Sequence, residues 1–85
     1  MLEISPGSGA RGSVATLDYS LPVSGDVLVA VFDVSGRRVT TLVNEAQAAG
    51  AHRTIWNHLG TAQGMYFVRL VTRTASMTRS ILILK

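Results

Sequence analysis

Asp26-Val27-Leu28-Val29-Ala30-Val31-Phe32-Asp33-Val34-Ser35-Gly36-Arg37-Arg38-Val39-Thr40 decides the fold. Val27, Val29 and Val31 fall on one side of an extended chain, and Leu28, Ala30 and Phe32 on the other. Both sides are apolar, so this stretch reads as a strand that is central in its sheet or covered on its second face. Ser35-Gly36 then interrupts two apolar runs. Glycine reaches positive φ without a Cβ clash, so Asp33–Arg37 is expected to be a tight hairpin turn.

The same reading extends in both directions. Turn signals recur at Ser5–Gly9, Pro22–Asp26, Ala49–Gly50, Asn57–Gly64 and Arg73–Ser76. Between them lie runs rich in Val, Ile, Leu, Thr and aromatic residues, which suit a pleated, half-buried surface. Strands are predicted at about 2–5, 13–20, 26–34, 37–44, 51–57, 64–73 and 76–84. That spacing points to a single all-β domain, either a sandwich or a barrel. Tyr66, Val68 and Leu70 alternate with Phe67, Arg69 and Val71, and Ile81 and Ile83 alternate with Leu82 and Leu84. Asn44–Ala49 is the one helix-like stretch. It is too short for an isolated helix and ends at Gly50, so a loop with at most one helical turn is expected there. Residues 5–12, rich in Pro, Gly and Ser, read as a loop or linker-like segment.

Composition narrows the functional classes. The 85 residues contain no cysteine, which rules out a disulfide framework or a thiolate metal site. The core must come from apolar packing, and the 47% hydrophobic content is adequate for that. The expected core is Leu17, Tyr19, Val29, Val31, Val39, Trp56, Tyr66, Val68, Leu70, Ile81 and Ile83. The net charge of +3 is carried by arginines scattered along the chain, without the basic face interleaved with aromatics that nucleic acid would select. No apolar run is long enough for a membrane helix, so no stable membrane insertion is expected. Met1–Gly12 has neither the charged n-region nor the apolar h-region of an export signal, and the chain is expected to be a piece of a longer precursor.

Catalytic and metal patterns are not written in the sequence. His52 and His58 lack a neighbouring ligand at metal spacing, and the five acids lie too far apart for a calcium loop. Asp26 and Asp33 would form an acidic pair only if the fold brought them to one end of the sandwich. No serine sits in a Gly-x-Ser-x-Gly elbow. Gly7-Ser8-Gly9 is followed by neither a helix start nor the phosphate-loop lysine. Trp56 is expected in the core, because a large ring in a thin core buries much apolar area. The residues point to a domain that is not an enzyme and needs no cofactor.

An ordered set of short motifs carries further information. Tyr19-Ser20-Leu21-Pro22 precedes Val31-Phe32-Asp33-Val34-Ser35-Gly36-Arg37. Gly50-Ala51-His52 precedes Trp56-Asn57, Gly64-Met65-Tyr66 precedes Arg69-Leu70, and Ile81–Lys85 is an apolar strand closing on lysine. In this order the set resembles the type A C-terminal sorting domains of the type IX secretion system of Gram-negative bacteria. The resemblance covers about residues 19–85. It departs from the family in three places: an Asn-Pro opening is missing, Asn57 stands where an acid is usual, and Leu28 and Ala30 replace polar residues. The last suggests an unusually apolar surface that contacts a partner.

The resemblance implies a seven-stranded antiparallel immunoglobulin-like β-sandwich, serving as a sorting signal for an N-terminal cargo domain. Its partners would be the outer-membrane type IX translocon and a sortase-like peptidase that cleaves the domain and attaches cargo to the cell surface. The cargo would pass through the periplasm and end up secreted or on the surface. The family positions carried over as recognition residues are Gly36, Arg37, Gly50, His52, Gly64, Tyr66 and Lys85. Similar sandwiches also serve as accessory modules, so the alternative is an interaction or carbohydrate-binding module of a secreted enzyme.

Overall fold

A computed structural model describes residues 3–6 and 14–84. The strands are β1 (Glu3–Pro6), β2 (Val14–Leu21), β3 (Gly25–Phe32), β4 (Arg38–Gln47), β5 (Gly50–Asn57), β6 (Gly64–Val71) and β7 (Ser76–Ile83). They form two antiparallel sheets, in the orders β1-β2-β5 and β4-β3-β6-β7, with no helix among the described residues. Ser5 and Pro6, expected in a linker-like segment, close β1, where Pro6 pairs with Leu17. Residues 7–12, and Leu2 and Ser13 of the expected strands, lie outside the described residues.

The core follows from alternation. Ala15, Leu17, Tyr19 and Leu21 turn inward from β2, and Val27, Val29 and Val31 from β3. Tyr66, Val68 and Leu70 do so from β6, and Ile81 and Ile83 from β7, with Trp56 supplied by β5. Leu17, Val29, Leu70 and Ile83 are sealed completely, each contributing roughly 1.5–3 kcal/mol by burial.

Two expectations are corrected. Val39 was placed in the core, yet it remains 39% exposed. The β3–β4 register slips between Val31↔Thr40 and Phe32↔Arg38, so Val39 is the extra residue of an irregularity and has no opposite number. Leu42 occupies a second such slip and packs against the core instead. The stretch Asn44–Gln47, expected as loop or helical turn, is the end of β4, paired with Leu28 through Gly25. Asp26 and Asp33 do not converge, because they flank opposite ends of β3, roughly 24 Å apart at strand rise.

The registers also fix two ends for the domain. At one end lie the β2–β3, β4–β5 and β6–β7 connections. The β3–β4 and β5–β6 connections lie at the other, together with Ile83, which pairs with Gly64. The last strand therefore finishes beside the Asp33–Arg37 hairpin end.

Candidate functional site in the motif-bearing turns

The Asp33 carboxylate organises the β3–β4 hairpin. One oxygen accepts the Ser35 amide at 2.9 Å, the Ser35 hydroxyl at 2.6 Å and the Arg37 amide at 3.1 Å. The backbone closes the same loop, with Gly36 N donating to Asp33 O and Asp33 N donating to Arg37 O, each at 3.0 Å. Gly36 sits at φ 87°, in the left-handed region where a Cβ is penalised. The Ser35 hydroxyl bond holds the Asp33 carboxyl below its ordinary value, aided by the two amides. Arg37 is left exposed at the tip, and Arg38 turns back over the Phe32 ring at 5.6 Å.

Gly50 and His52 occupy the opposite end, where the chain crosses from one sheet to the other. Gly50 takes φ 115° immediately after the two-residue corner Ala48-Ala49. His52 Nε2 lies 2.6 Å from the Ala48 carbonyl oxygen, to which it donates as the Nε2–H tautomer. The His52 ring stacks on Tyr19, its register partner, at 5.5 Å and 21°. The Tyr19 hydroxyl in turn donates to Gln47 at the end of β4. Burial raises the Tyr19 phenol above its ordinary value, against the lowering effect of the Gln47 bond. Glycine opens the corner and the Tyr19–His52 pair closes it.

Trp56 and Tyr66 meet edge to face at 5.5 Å, and Trp56 meets His58 at the same separation. The Tyr66 hydroxyl donates to the Ala62 carbonyl at 2.6 Å, tying the β5–β6 connection to the start of β6. Asn57 accepts the Leu59 amide at 3.1 Å through Oδ1. A carboxylate could accept the same bond, so asparagine in place of the usual acid leaves this turn closed. His58 is 4% exposed, and its Nε2 has no hydrogen-bond partner.

Gly36, Arg37, Gly64 and Tyr66 thus share the end where β7 finishes, while Gly50 and His52 sit at the other. Lys85 lies outside the described residues. Reading residues as motifs could not reveal the Tyr19–Gln47 and Tyr66–Ala62 ties, although Tyr19 opens the Tyr19–Pro22 motif and Tyr66 closes the Gly64–Tyr66 motif.

Among the described residues no group of three or more His, Cys, Asp or Glu could hold a metal ion. A depression of about 410 Å³ opens between the β2–β3 and β6–β7 connections, and its ionisable lining groups are Asp26 and Arg73. The Thr72 hydroxyl beside it is engaged in its own turn, accepting the Ala75 amide at 3.2 Å. No helix of the described residues is long and apolar enough to cross a membrane. Compared with known families, residues 13–84 match the model described as secretion system C-terminal sorting domain. No curated protein matches the chain.

Proposed function

Since the chain belongs to the secretion-system C-terminal sorting domains, we propose that it is a non-catalytic type IX sorting signal. It directs a cargo protein, preceding it in the polypeptide, across the outer membrane to the medium or the cell surface. The observation that carries this is the family match through residue 84, which takes in the whole of β7. The folded domain is what the machinery reads. Asp33, Gly36, Gly50, His52 and Tyr66 hold its turns in shape, and Arg37 is a charged motif residue left exposed at a tip. Cleavage and surface attachment would be performed by a sortase-like peptidase.

We read the fold as a seven-stranded sandwich of immunoglobulin type. Two features support this. The strand orders β1-β2-β5 and β4-β3-β6-β7 follow the immunoglobulin plan, with the fourth strand moved onto the sheet of the third. The Tyr66–Ala62 bond reproduces the tyrosine corner of that fold, a hydroxyl near the start of the sixth strand returning to upstream backbone.

The test fuses residues 1–85 to a passive periplasmic cargo in a type IX-competent host. The cargo should reach the medium or surface, and removal of residues 81–85 should trap it in the periplasm. Retention of the intact fusion in the periplasm would refute the sorting reading and favour an accessory module.

A further inference from the structure

The two sheets present unlike outer faces. On the β2–β5 pair, Thr16, Asp18 and Ser20 point outward opposite Ile55, Arg53 and Ala51. Its charges are matched, with Arg53 Nε 2.7 Å from an Asp18 oxygen. On the four-stranded sheet the outward positions of β3 are Leu28, Ala30 and Phe32, with Ala30 only 1% exposed, and registered beside them on β6 are Val71, Arg69 and Phe67. Met65 and Leu82 extend the stripe as a cross-strand pair, 41% and 51% exposed. A shallow depression of about 60 Å³ lies over Ala30, bordered by Leu28, Phe32, Arg38 and Arg69. That is the size of one apolar side chain tip.

Two arginines on this face stand without an ion pair. Arg38 lies over Phe32, and Arg69 stands beside Ala30; neither has an acidic partner among the described residues. Asp26 shares the face as the outward position before Leu28, at the end of β3 away from Arg38. Phenylalanine, methionine and arginine with no lysine or glutamate is the composition enriched in the centres of protein interfaces.

We propose that the outer face of the β4-β3-β6-β7 sheet is a protein-docking surface. Its partner presents apolar side chains flanked by carboxylates, with one side chain seated over Ala30 and the carboxylates read by Arg38 and Arg69. A second copy of the chain is the competing occupant, because Asp26 shares the face with the arginines, and dimerisation is the outcome that identifies it. Nucleic acid does not fit, since two cations on an apolar stripe cannot neutralise a backbone with a phosphate every ~3.4 Å per strand. A glycan platform would need two or three open rings on one face, and with Arg38 over Phe32 this face offers Phe67 alone among the described residues. The face is small, only a few strands of ~4.8 Å spacing across, so the interaction is of the transient, micromolar class. The proposal concerns the folded domain and stands whether or not the sorting reading does.

The test selects 16-residue peptides from a randomised displayed library on immobilised residues 1–85, and measures them in solution against the wild type and Arg38→Glu/Arg69→Glu. Circular dichroism and a urea midpoint first establish that the variant is folded, and Arg69→Glu alone serves if the double variant is not. The expected result is a selected set rich in Leu, Phe, Asp and Glu. Its members should bind the variant at least tenfold more weakly, and Lys-for-Glu versions should bind the variant better than the wild type. Amide chemical-shift changes should fall on β3, β6 and β7. Equal binding to both proteins, basic selected sequences, shifts on β2 and β5, no selected binders, or concentration-dependent dimerisation through this face would each overturn the proposal.

Discussion

His52 stacks on Tyr19 across the β2–β5 register, at the point where Ala48-Ala49 carries the chain between sheets. The same imidazole donates to the Ala48 carbonyl. One side chain thereby holds a strand pair and a sheet-to-sheet corner together. His52→Ala should cost about 1–3 kcal/mol, the sum of a ring pair and a net hydrogen bond. His52→Phe keeps the ring and loses only the bond, so it should recover about half of the loss. Urea unfolding of the three proteins checks this. Equal stability of the phenylalanine and alanine variants would show that the stacking does not contribute.

The Asp33 hairpin should be acid-sensitive. Its carboxyl is held below the ordinary 3.8, first by the Ser35 hydroxyl and then by backbone amides, so the folded state favours the carboxylate. The stabilisation is complete above the unfolded value and is lost as pH falls through the lower folded value. Asp33→Asn keeps a side-chain acceptor and removes the charge. The stability gap between wild type and this variant should be constant above about pH 5 and should close below 3.8. A gap that persists unchanged to pH 2 would remove the charge from the account. Exchange of the Arg37 amide, measured over the same range, localises the effect to the hairpin.

Much of this architecture was legible because alternation records burial directly. Val27, Val29 and Val31, and likewise Tyr66, Val68 and Leu70, turned inward as their spacing required. Extending the same period along β2 from Leu17 and Tyr19 would have added Ala15 and Leu21. The failures came where long-range pairing overrides local preference. Glu45, Ala46 and Gln47 favour helix in isolation, but the edge of β3 offers them hydrogen bonds at Val27, Asp26 and Gly25. Val39 was misplaced because a register slip reverses the face of every position it touches, and no residue type announces it. The Tyr19–His52 pair joins positions on strands that are not consecutive, so spacing along the chain does not hint at it.

Buried His58 gives a prediction of opposite sign. Its Nε2 is enclosed without a partner, while its ring meets Trp56 edge to face at 5.5 Å. An unmade bond at a buried polar atom costs roughly 1–3 kcal/mol, and an apolar group of similar shape escapes it. His58→Phe should therefore be neutral or stabilising by up to about 1.5 kcal/mol, whereas Trp56→Ala should cost about 3–5 kcal/mol. Thermal unfolding decides the point. A clear drop in midpoint for His58→Phe would mean that the imidazole has a partner in solution.

The last strand separates folding from recognition. Ile81 and Ile83 are buried, while Leu82, between them, is 51% exposed and lies opposite Met65 on the outer face. Ile83→Ala should cost about 2–5 kcal/mol, because the transfer and cavity terms add at a fully enclosed site. In a domain of 85 residues, whose thin core leaves little stability in reserve, that loss alone should abolish export of a fused cargo. Leu82→Ser removes no core and should change the unfolding midpoint little. If the machinery reads the outer surface of β7, Leu82→Ser should lower secretion of the fused cargo several-fold while the domain stays folded. If it reads only the presence of a folded domain, Leu82→Ser should be secreted like the wild type and only Ile83→Ala should fail. Cargo measured in medium and periplasm, beside a urea midpoint for each purified domain, distinguishes the two. Secretion of the Ile83→Ala fusion at wild-type levels with the domain unfolded would contradict both, and would make the signal a linear one.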